Sequence, residues 1–326
     1  MEVDSSSNKL FTFMQQILRC PICNTELELE DEKFKCSNSE CECFFPIVNG
    51  IPVLINENSS VFSIDEFVQQ RDTFFKQSQR SKIVNKLIRL IPDMSKNVKA
   101  KQNFDTFAKL LLNQSDSPKV LVLGGSILGR GIESIFSYPK IDLVESDISF
   151  GPRTVLICDA HNIPFEKDSF DGVIIQAVLE HVVDPWRCVE EIYRVLKKDG
   201  LLYAETPFIQ QVHGGKYDFT RFTYLGHRRL FRNFEEIDSG AVCGPGMALA
   251  FSYKYFLLSF AKSKFIRRTI DIFARLTSFY LKYIDYYLID KARALDAASA
   301  YYFMGRKSNY ILSDRDLIKL YRGAML

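Results

Sequence analysis

The sequence carries almost no surplus of either charge: 42 lysines and arginines against 40 aspartates and glutamates give a formal net charge of +2 over 326 residues. Nothing global therefore draws the chain to nucleic acid or acidic lipid. Long apolar runs are missing too, and no stretch reaches the roughly 20 residues that a membrane-spanning helix needs. The N-terminal MEVDSSSNKLFTFMQQ has neither a basic leader nor the apolar core of a secretory signal. Internal repeats and low-complexity segments are absent. What remains is an ordinary soluble composition, 47% hydrophobic and 25% charged, long enough for one to three domains. The expected location is the cytoplasm.

Four regions follow a polar, loose N-terminus at 1–17. Residues 18–56 hold a cysteine cluster and end in the apolar run Ile51-Pro-Val-Leu-Ile55. Residues 57–117 place apolar side chains at helical spacing: Phe74, Ile83, Leu87 and Leu90 mark one face, and Phe104, Phe107, Leu110 and Leu111 another. Two or three linker helices, broken near Pro92, are expected there. From 118 to 248, short β-branched runs alternate with helical stretches, at Val120–Leu123, Ile141–Glu145, Val155–Cys158, Val173–Gln176 and Leu201–Thr206. That alternation predicts an α/β fold with a parallel sheet wound by helices. Residues 249–326 read as an aromatic helical region.

Five of the eight cysteines fall within residues 20–43, whereas Cys158, Cys188 and Cys243 are scattered. Cys20-Pro-Ile-Cys23 is a tight CxxC turn; Cys36 follows thirteen positions later, then Cys41 and Cys43. Two short cysteine pairs separated by a hairpin-length spacer suit a tetrahedral zinc site, because each turn presents two thiolates to one ion. The plainer reading is a group of reduced surface thiols. Spacing alone leaves Cys41 and Cys43 both open as the fourth ligand. The segment LRCPIC…KCSNSECECFFPIVNGIPVLI resembles the zinc ribbon of the small activator protein of tRNA and release-factor methyltransferases, a ribbon often fused to bacterial methyltransferases. That resemblance selects Cys41 and implies a closed, structural zinc held by Cys20, Cys23, Cys36 and Cys41.

Val120-Leu-Val-Leu-Gly124-Gly125-Ser-Ile-Leu-Gly129-Arg-Gly131 reads as strand, glycine-rich turn and helix. Glycines there allow close approach of backbone to a ligand. Ser126 breaks the G-x-G-x-x-G spacing, which argues against a nicotinamide dinucleotide. Asp147 closes the second strand 22 residues past Gly125, where an acid can accept hydrogen bonds from ribose hydroxyls; it could equally cap a helix. Asp159-Ala160 follows the third strand, though Asp159 also suits a turn. Next come Asp171, which reads as structural, Gln176, the phrase Leu-Glu-His181, Asp184-Pro-Trp-Arg and the helix ending Arg-Val-Leu-Lys-Lys-Asp-Gly200. His181 opens a helix and reads either as a packed or capping residue or as part of a site.

In the order of these phrases, residues 118–240 resemble a class I S-adenosylmethionine-dependent methyltransferase. The resemblance implies a Rossmann-like, seven-stranded doubly wound sheet, flanked here by the N-terminal zinc ribbon, a helical linker and C-terminal helices. It also implies roles: Gly124, Gly125 and Gly129 approach the methionine part of the cofactor, Asp147 holds the ribose, Asp159 and Ala160 contact adenine, and Gln176 closes the methionine pocket. The family's usual acid on strand one is replaced by Val122, so the amino-acid end of the cofactor must be held differently.

The loop after strand five, Pro207-Phe-Ile-Gln-Gln-Val-His213-Gly-Gly-Lys-Tyr217-Asp218-Phe-Thr-Arg221, is polar and aromatic, with Gly214-Gly215 offering a hinge. It is similar to the H-x-x-x-Y-D-x-x-R-x-T stretch of a methyltransferase subgroup common in bacterial polysaccharide and small-metabolite gene neighbourhoods. His213 is the candidate base, and Tyr217, Asp218 and Arg221 the residues that shape the acceptor site. Alternatively, Tyr217, Asp218 and Arg221 form a structural clasp and His213 is a solvated loop residue. Phe251–Lys291 mixes Phe, Tyr and Leu with Lys254, Lys262, Lys264, Arg267, Arg268 and Arg275. That pattern fits packing on the catalytic domain, a homodimer contact, or peripheral contact with a membrane surface. Ser313 caps a short final helix.

Three functions fit. The first is methyl transfer to a small molecule or a glycan, lipid-linked if the C-terminal helices touch a membrane. The second is an RNA or protein methyltransferase that uses its ribbon for substrate contact. Against it stand the near-neutral charge and Gln-Ala-Val-Leu where an Asn/Asp-Pro-Pro-Tyr phrase would be expected. The third is a non-catalytic cofactor-binding or assembly protein.

Overall fold

The computed structural model describes residues 12–69 and 91–324; the face marked by Phe74, Ile83, Leu87 and Leu90 lies outside them. Within the stretch expected to be loose, residues 12–17 are helical. The reason is packing: Met14 and Leu18 are buried in the main core.

The wound part of the sheet begins with β5 (Lys119–Leu123), β6 (Asp142–Asp147) and β7 (Leu156–Cys158). It continues through β8 (Phe170–Gln176) and β9 (Leu196–Pro207). These five carry the five expected runs and are parallel throughout. β10 (Phe234–Cys243) and β11 (Ala300–Lys307) add antiparallel pairings, β11 lying between β9 and β10. Seven strands thus run in the order β7-β6-β5-β8-β9-β11-β10.

Among the described residues the whole sheet has eleven strands, not seven. β1 (Leu27–Glu30), β2 (Lys33–Cys36), β3 (Phe44–Val48) and β4 (Ile51–Leu54) form the cysteine-bearing meander. The expected apolar run becomes β4, which pairs in parallel with β7, Val53 opposite Ile157 and Leu54 opposite Cys158. An edge strand with unpaired N–H and C=O groups is a template for further pairing; here the cysteine-bearing meander fills it.

The second correction concerns 249–326. Helices do occupy most of it, but β11 lies inside it and inserts into the sheet. Tyr301, Tyr302, Phe303 and Met304 are all buried, since Phe303 faces one core of the protein and Tyr302 and Met304 face another. Such a run is hard to distinguish by composition from the aromatic helices before it.

Helix α1 is Ile64–Val68 and α2 is Ala100–Gln114. α2 bears out the expected apolar face: Phe104, Phe107 and Leu111 are buried, and Phe104 packs on Tyr203 of β9 with ring centroids 4.6 Å apart. The glycine turn after β5 leads into a short 3-10 helix, Ile132–Ser137, rather than an α-helix. Pro139 shortens it, because a residue before proline is driven out of the α region. α3 (Pro185–Val195) starts on Asp184, whose carboxylate accepts the Arg187 N–H at 3.1 Å. α4 is Tyr224–Leu230. The chain then forms α5 (Pro245–Leu258), α6 (Lys264–Ser278), α7 (Leu281–Leu288) and α8 (Ala292–Asp296) before β11, and α9 (Asp314–Leu317) on its Ser313 cap after it.

Between β5 and β8 the winding reverses direction. In open parallel sheets that reversal opens a crevice beyond the carboxyl ends of the strands.

Candidate functional site

A cleft of about 270 Å³ occupies that crevice. Gly124, Gly129, Asp147, Asp159, Ala160 and Gln176 all line it, as do His213 and Tyr217. Gly125 stands behind them in the same turn, held by its N–H to the Ser146 carbonyl at 3.0 Å. The fold therefore gathers, from the ends of β5, β6, β7, β8 and β9, residues that the sequence analysis singled out.

The turn needs glycine for internal reasons. Gly124 sits at φ +86°, and a Cβ there would lie 2.3 Å from the Val178 side chain; one at Gly129 would lie 1.7 Å from Gln176 Oε1. Asp147 accepts the Ser126 and Ser149 N–H groups, each at 2.9 Å. These bonds fix the carboxylate while leaving lone pairs toward the cleft. Burial pushes its pKa up, opposed by the same N–H donors. Glu145, two residues earlier, is used elsewhere: the Arg153 Nε–H is shared between its two carboxylate oxygens at 2.6 and 2.7 Å.

Asp159 is held by His161, whose N–H and Nδ1 lie 3.0 and 2.6 Å from Oδ1. Burial alone would raise its carboxyl, but the His161 contacts hold it below the ordinary value. Its other oxygen accepts the hydroxyl of Ser60 at 2.5 Å. Ser60 follows the cysteine module, and Phe62 from the same segment lines the cleft and stacks on Tyr217 with centroids 5.3 Å apart and planes 21° apart. These two residues carry no signal in sequence, because they meet the cleft only through the β4–β7 pairing.

A second cavity of about 190 Å³ adjoins the first, sharing Gly129, Gln176, Ala177 and His213 with it. Glu180 and Glu205 line this cavity. Glu205 receives hydrogen bonds from Tyr203 at 2.7 Å, Gln176 at 2.7 Å and Asn97 at 2.9 Å. Burial pushes its carboxyl up to about 7. Gln176 is thereby oriented at the junction of both cavities. Glu180 is 1% exposed, and His181 and His213 present Nε2 to its Oε1 at 3.7 and 3.6 Å. Contact with Glu180 raises the His213 pKa against the effect of burial. His181, left open in sequence, lies in the cleft; its signal was the triplet Leu-Glu-His shortly after β8.

The loop after β9 is tied by a clasp. Arg221 donates to Asp218 at 2.5 and 2.9 Å and to the Gln210 carbonyl at 3.0 Å, while Asp218 accepts the N–H groups of His213 at 2.8 Å and Gly214 at 3.1 Å. Asp218 and Arg221 thus hold His213 in place rather than line the cleft. Asp171 is structural, accepting the Lys119 N–H at 2.8 Å and the Lys197 ammonium at 2.9 Å.

Away from the cleft, the sulfurs of Cys20, Cys23, Cys36 and Cys41 all lie within 4.8 Å of one another. Zinc–sulfur bonds of about 2.3 Å at tetrahedral angles place neighbouring sulfurs roughly 3.8 Å apart. Cys20 and Cys41 stand at 3.8 Å, and Cys23 and Cys36 at 3.3 Å. Cys43 instead points its thiol at the Cys41 carbonyl, 3.1 Å away. The donor set therefore fits a four-thiolate zinc.

Fold and site together describe a doubly wound α/β domain with a cleft at its switch point. The family described as "Methyltransferase domain" matches residues 137–204. The demethylmenaquinone methyltransferase of Clavibacter sepedonicus is 40% identical over 60 residues, 18% of this chain and 24% of that protein. The chain thus spans about a quarter of the length of the curated relative it matches. Among solved structures, a candidate sarcosine dimethylglycine methyltransferase from Galdieria sulphuraria is 14% identical with a TM-score of 0.42, covering 68% of this chain and 94% of that one. The Haemonchus contortus phosphoethanolamine N-methyltransferase 2, in complex with S-adenosyl-L-methionine, is 15% identical with a TM-score of 0.41, covering 65% and 57% respectively.

Proposed function

We propose that this chain is an S-adenosylmethionine-dependent methyltransferase acting on a small molecule or a glycan. The observation that carries the reading is the convergence of Gly124, Gly129, Asp147, Asp159, Ala160 and Gln176 on one cleft, within and beside the segment that matches a methyltransferase domain. Asp147 takes the ribose hydroxyls, Asp159 and Ala160 the adenine, and the glycine turn with Gln176 the methionine end. Glu205 behind Gln176 supplies the buried carboxylate that strand one lacks. Transfer from a sulfonium is an in-line displacement, so the protein mainly positions the acceptor. Acceptors enter through the adjoining cavity, whose polar lining suits hydroxyl-rich molecules. His213, at the junction, takes the acceptor's proton, and Tyr217 shapes the entrance. The zinc held by Cys20, Cys23, Cys36 and Cys41 is structural.

Calorimetry with S-adenosylmethionine tests the reading. Micromolar binding by wild type and its loss in Asp147→Ala are expected; absence of binding to folded, zinc-loaded protein overturns it. Methyl transfer from labelled cofactor into fractionated extract then separates lipid, glycan, RNA and protein acceptors.

A specific observation favours a lipid-linked acceptor. α5–α7 leave Phe256, Phe260, Phe265 and Tyr287 at 64, 66, 81 and 72% exposure. Lys262, Lys264, Arg267 and Arg268, also exposed, flank them. No helix among the described residues is long and apolar enough to cross a membrane. Exposed aromatic side chains beside cations match the surface of an anionic bilayer. Cosedimentation with phosphatidylglycerol but not phosphatidylcholine vesicles is expected. A dimer that covers this face in solution, with no vesicle binding, overturns this part alone.

A further inference from the structure

We propose that Glu180, His181 and His213 form a binding site for a divalent transition-metal ion where the two cavities meet. One ligand atom from each lies within 4.8 Å of the other two. Glu180 is 1% exposed and neither of its carboxylate oxygens has a hydrogen-bond partner. A buried carboxylate without donors is stabilised by a neighbouring cation. Both histidines are oriented to help supply one. Nδ1 of His181 lies 2.8 Å from the Tyr217 carbonyl, and Nδ1 of His213 lies 3.2 Å from the Gln211 carbonyl. A carbonyl oxygen only accepts, so in His181 the proton resides on Nδ1 and Nε2 is the coordinating atom; in His213, whose Nδ1 also lies 3.5 Å from an Arg221 nitrogen, Nε2 is the atom that faces Glu180. Such a backbone tether behind each imidazole is the usual support of a metal ligand.

The supports are specific. A Cβ at Gly214 would meet the His181 ring at 2.5 Å, so only glycine permits this approach. The Asp218–Arg221 clasp fixes the His213 backbone. The Nε2 atoms stand 3.7 and 3.6 Å from Glu180 Oε1. Metal–nitrogen and metal–oxygen bonds of about 2.0–2.2 Å require separations of roughly 3–3.5 Å, so binding draws each nitrogen a few tenths of an ångström nearer the carboxylate. Two imidazoles and one carboxylate suit manganese, iron, cobalt, nickel or zinc, and leave coordination positions open.

Those open positions adjoin the space assigned above to the acceptor, so the inference rests on the methyltransferase reading and names the substrate class: a hydroxyl. Bound to the ion, the hydroxyl gives its proton to water. Its oxygen then attacks the sulfonium methyl; the carbon–oxygen bond forms as the carbon–sulfur bond breaks, and that electron pair stays on sulfur as neutral S-adenosylhomocysteine. With the ion in place, His213 would serve as a ligand instead of the base, and the ion would lower the pKa of the hydroxyl so that water takes its proton.

The test is Mn²⁺ binding to the full chain, followed by electron paramagnetic resonance and equilibrium dialysis. A four-thiolate site disfavours Mn²⁺, so the ribbon does not contribute. One bound equivalent is expected in wild type, with affinity more than about tenfold weaker in Glu180→Gln and in His213→Ala. His213 lies in an exposed loop, so its variant reports even if Glu180→Gln fails to fold. Absence of Mn²⁺ and Co²⁺ beyond the cysteine site, or undiminished binding in both variants, overturns the proposal. Calorimetry of S-adenosylmethionine on the same wild-type sample separates the two readings: cofactor binding without Mn²⁺ sinks only the metal site, and Mn²⁺ binding without cofactor sinks only the methyltransferase reading.

Discussion

Ser60 donates its hydroxyl to the Asp159 carboxylate at 2.5 Å, across 99 residues of sequence. The segment that leaves the cysteine module is therefore part of the cleft wall, although the module's cysteines themselves lie away from it. Phe62 completes the wall by stacking on Tyr217.

Phe62→Ala should weaken S-adenosylmethionine binding by about 5- to 30-fold, the loss expected when an aromatic wall worth about 1–2 kcal/mol is removed. Ser60→Ala should have a smaller effect in the same direction. Calorimetry at fixed pH checks both, and unchanged affinity in Phe62→Ala would place the segment outside the working site.

Gly129→Ala introduces a methyl where Gln176 Oε1 stands 1.7 Å away. Gln176 must leave its bond to Glu205, because the turn cannot move without disturbing β5. Cofactor affinity should fall by more than about tenfold while the melting temperature changes by only a few degrees. Comparing isothermal titration with thermal melts distinguishes that outcome from general unfolding.

Cys41→Ser and Cys43→Ser should part company. Cys41 is one of the four converging sulfurs, whereas Cys43 is turned toward a carbonyl. Metal analysis should find about one zinc per chain in wild type and Cys43→Ser, and far less in Cys41→Ser. Because β4 covers the edge of β7, loss of zinc should also lower the melting temperature and expose that edge to aggregation. Equal zinc in both variants would reassign the fourth ligand.

His227 is 2% exposed and its Nε2 has no hydrogen-bond partner. Burial, with help from Arg228, drags its pKa down from the ordinary 6.5 to about 3. Between those values the unfolded chain binds a proton that the folded chain refuses, so the stability present above pH 6.5 is lost as pH falls. His227→Phe keeps an aromatic ring against Phe231 and Tyr301 and removes the proton. The difference in melting temperature between pH 7 and pH 4.5 should shrink by about 5 °C relative to wild type. An unaltered pH slope would show that the ring is solvated.

The sequence alone determined the parts whose cause is local. Strand, turn and helix follow from hydrophobic period and glycine placement, which is why five parallel strands and α2 could be read directly. A tight CxxC turn and its partners bring sulfurs together over short range, so the cysteine site was legible as well. Asp147 was readable because an acid that ends the second strand must face the crevice of a wound sheet, whereas Asp159 and Gln176 were marked only by the resemblance of their phrases to a methyltransferase family. Contacts between distant segments were decided only by the tertiary structure. β11 could not be recognised beside aromatic helices, since burial on both faces erases the alternation that marks a strand. The sheet's growth to eleven strands depended on β4 finding the open edge of β7. Phe62 over the cleft, and the meeting of Glu180 and His181 with His213, follow from that packing: period and spacing describe how a segment faces the core, not which other segment will face it there.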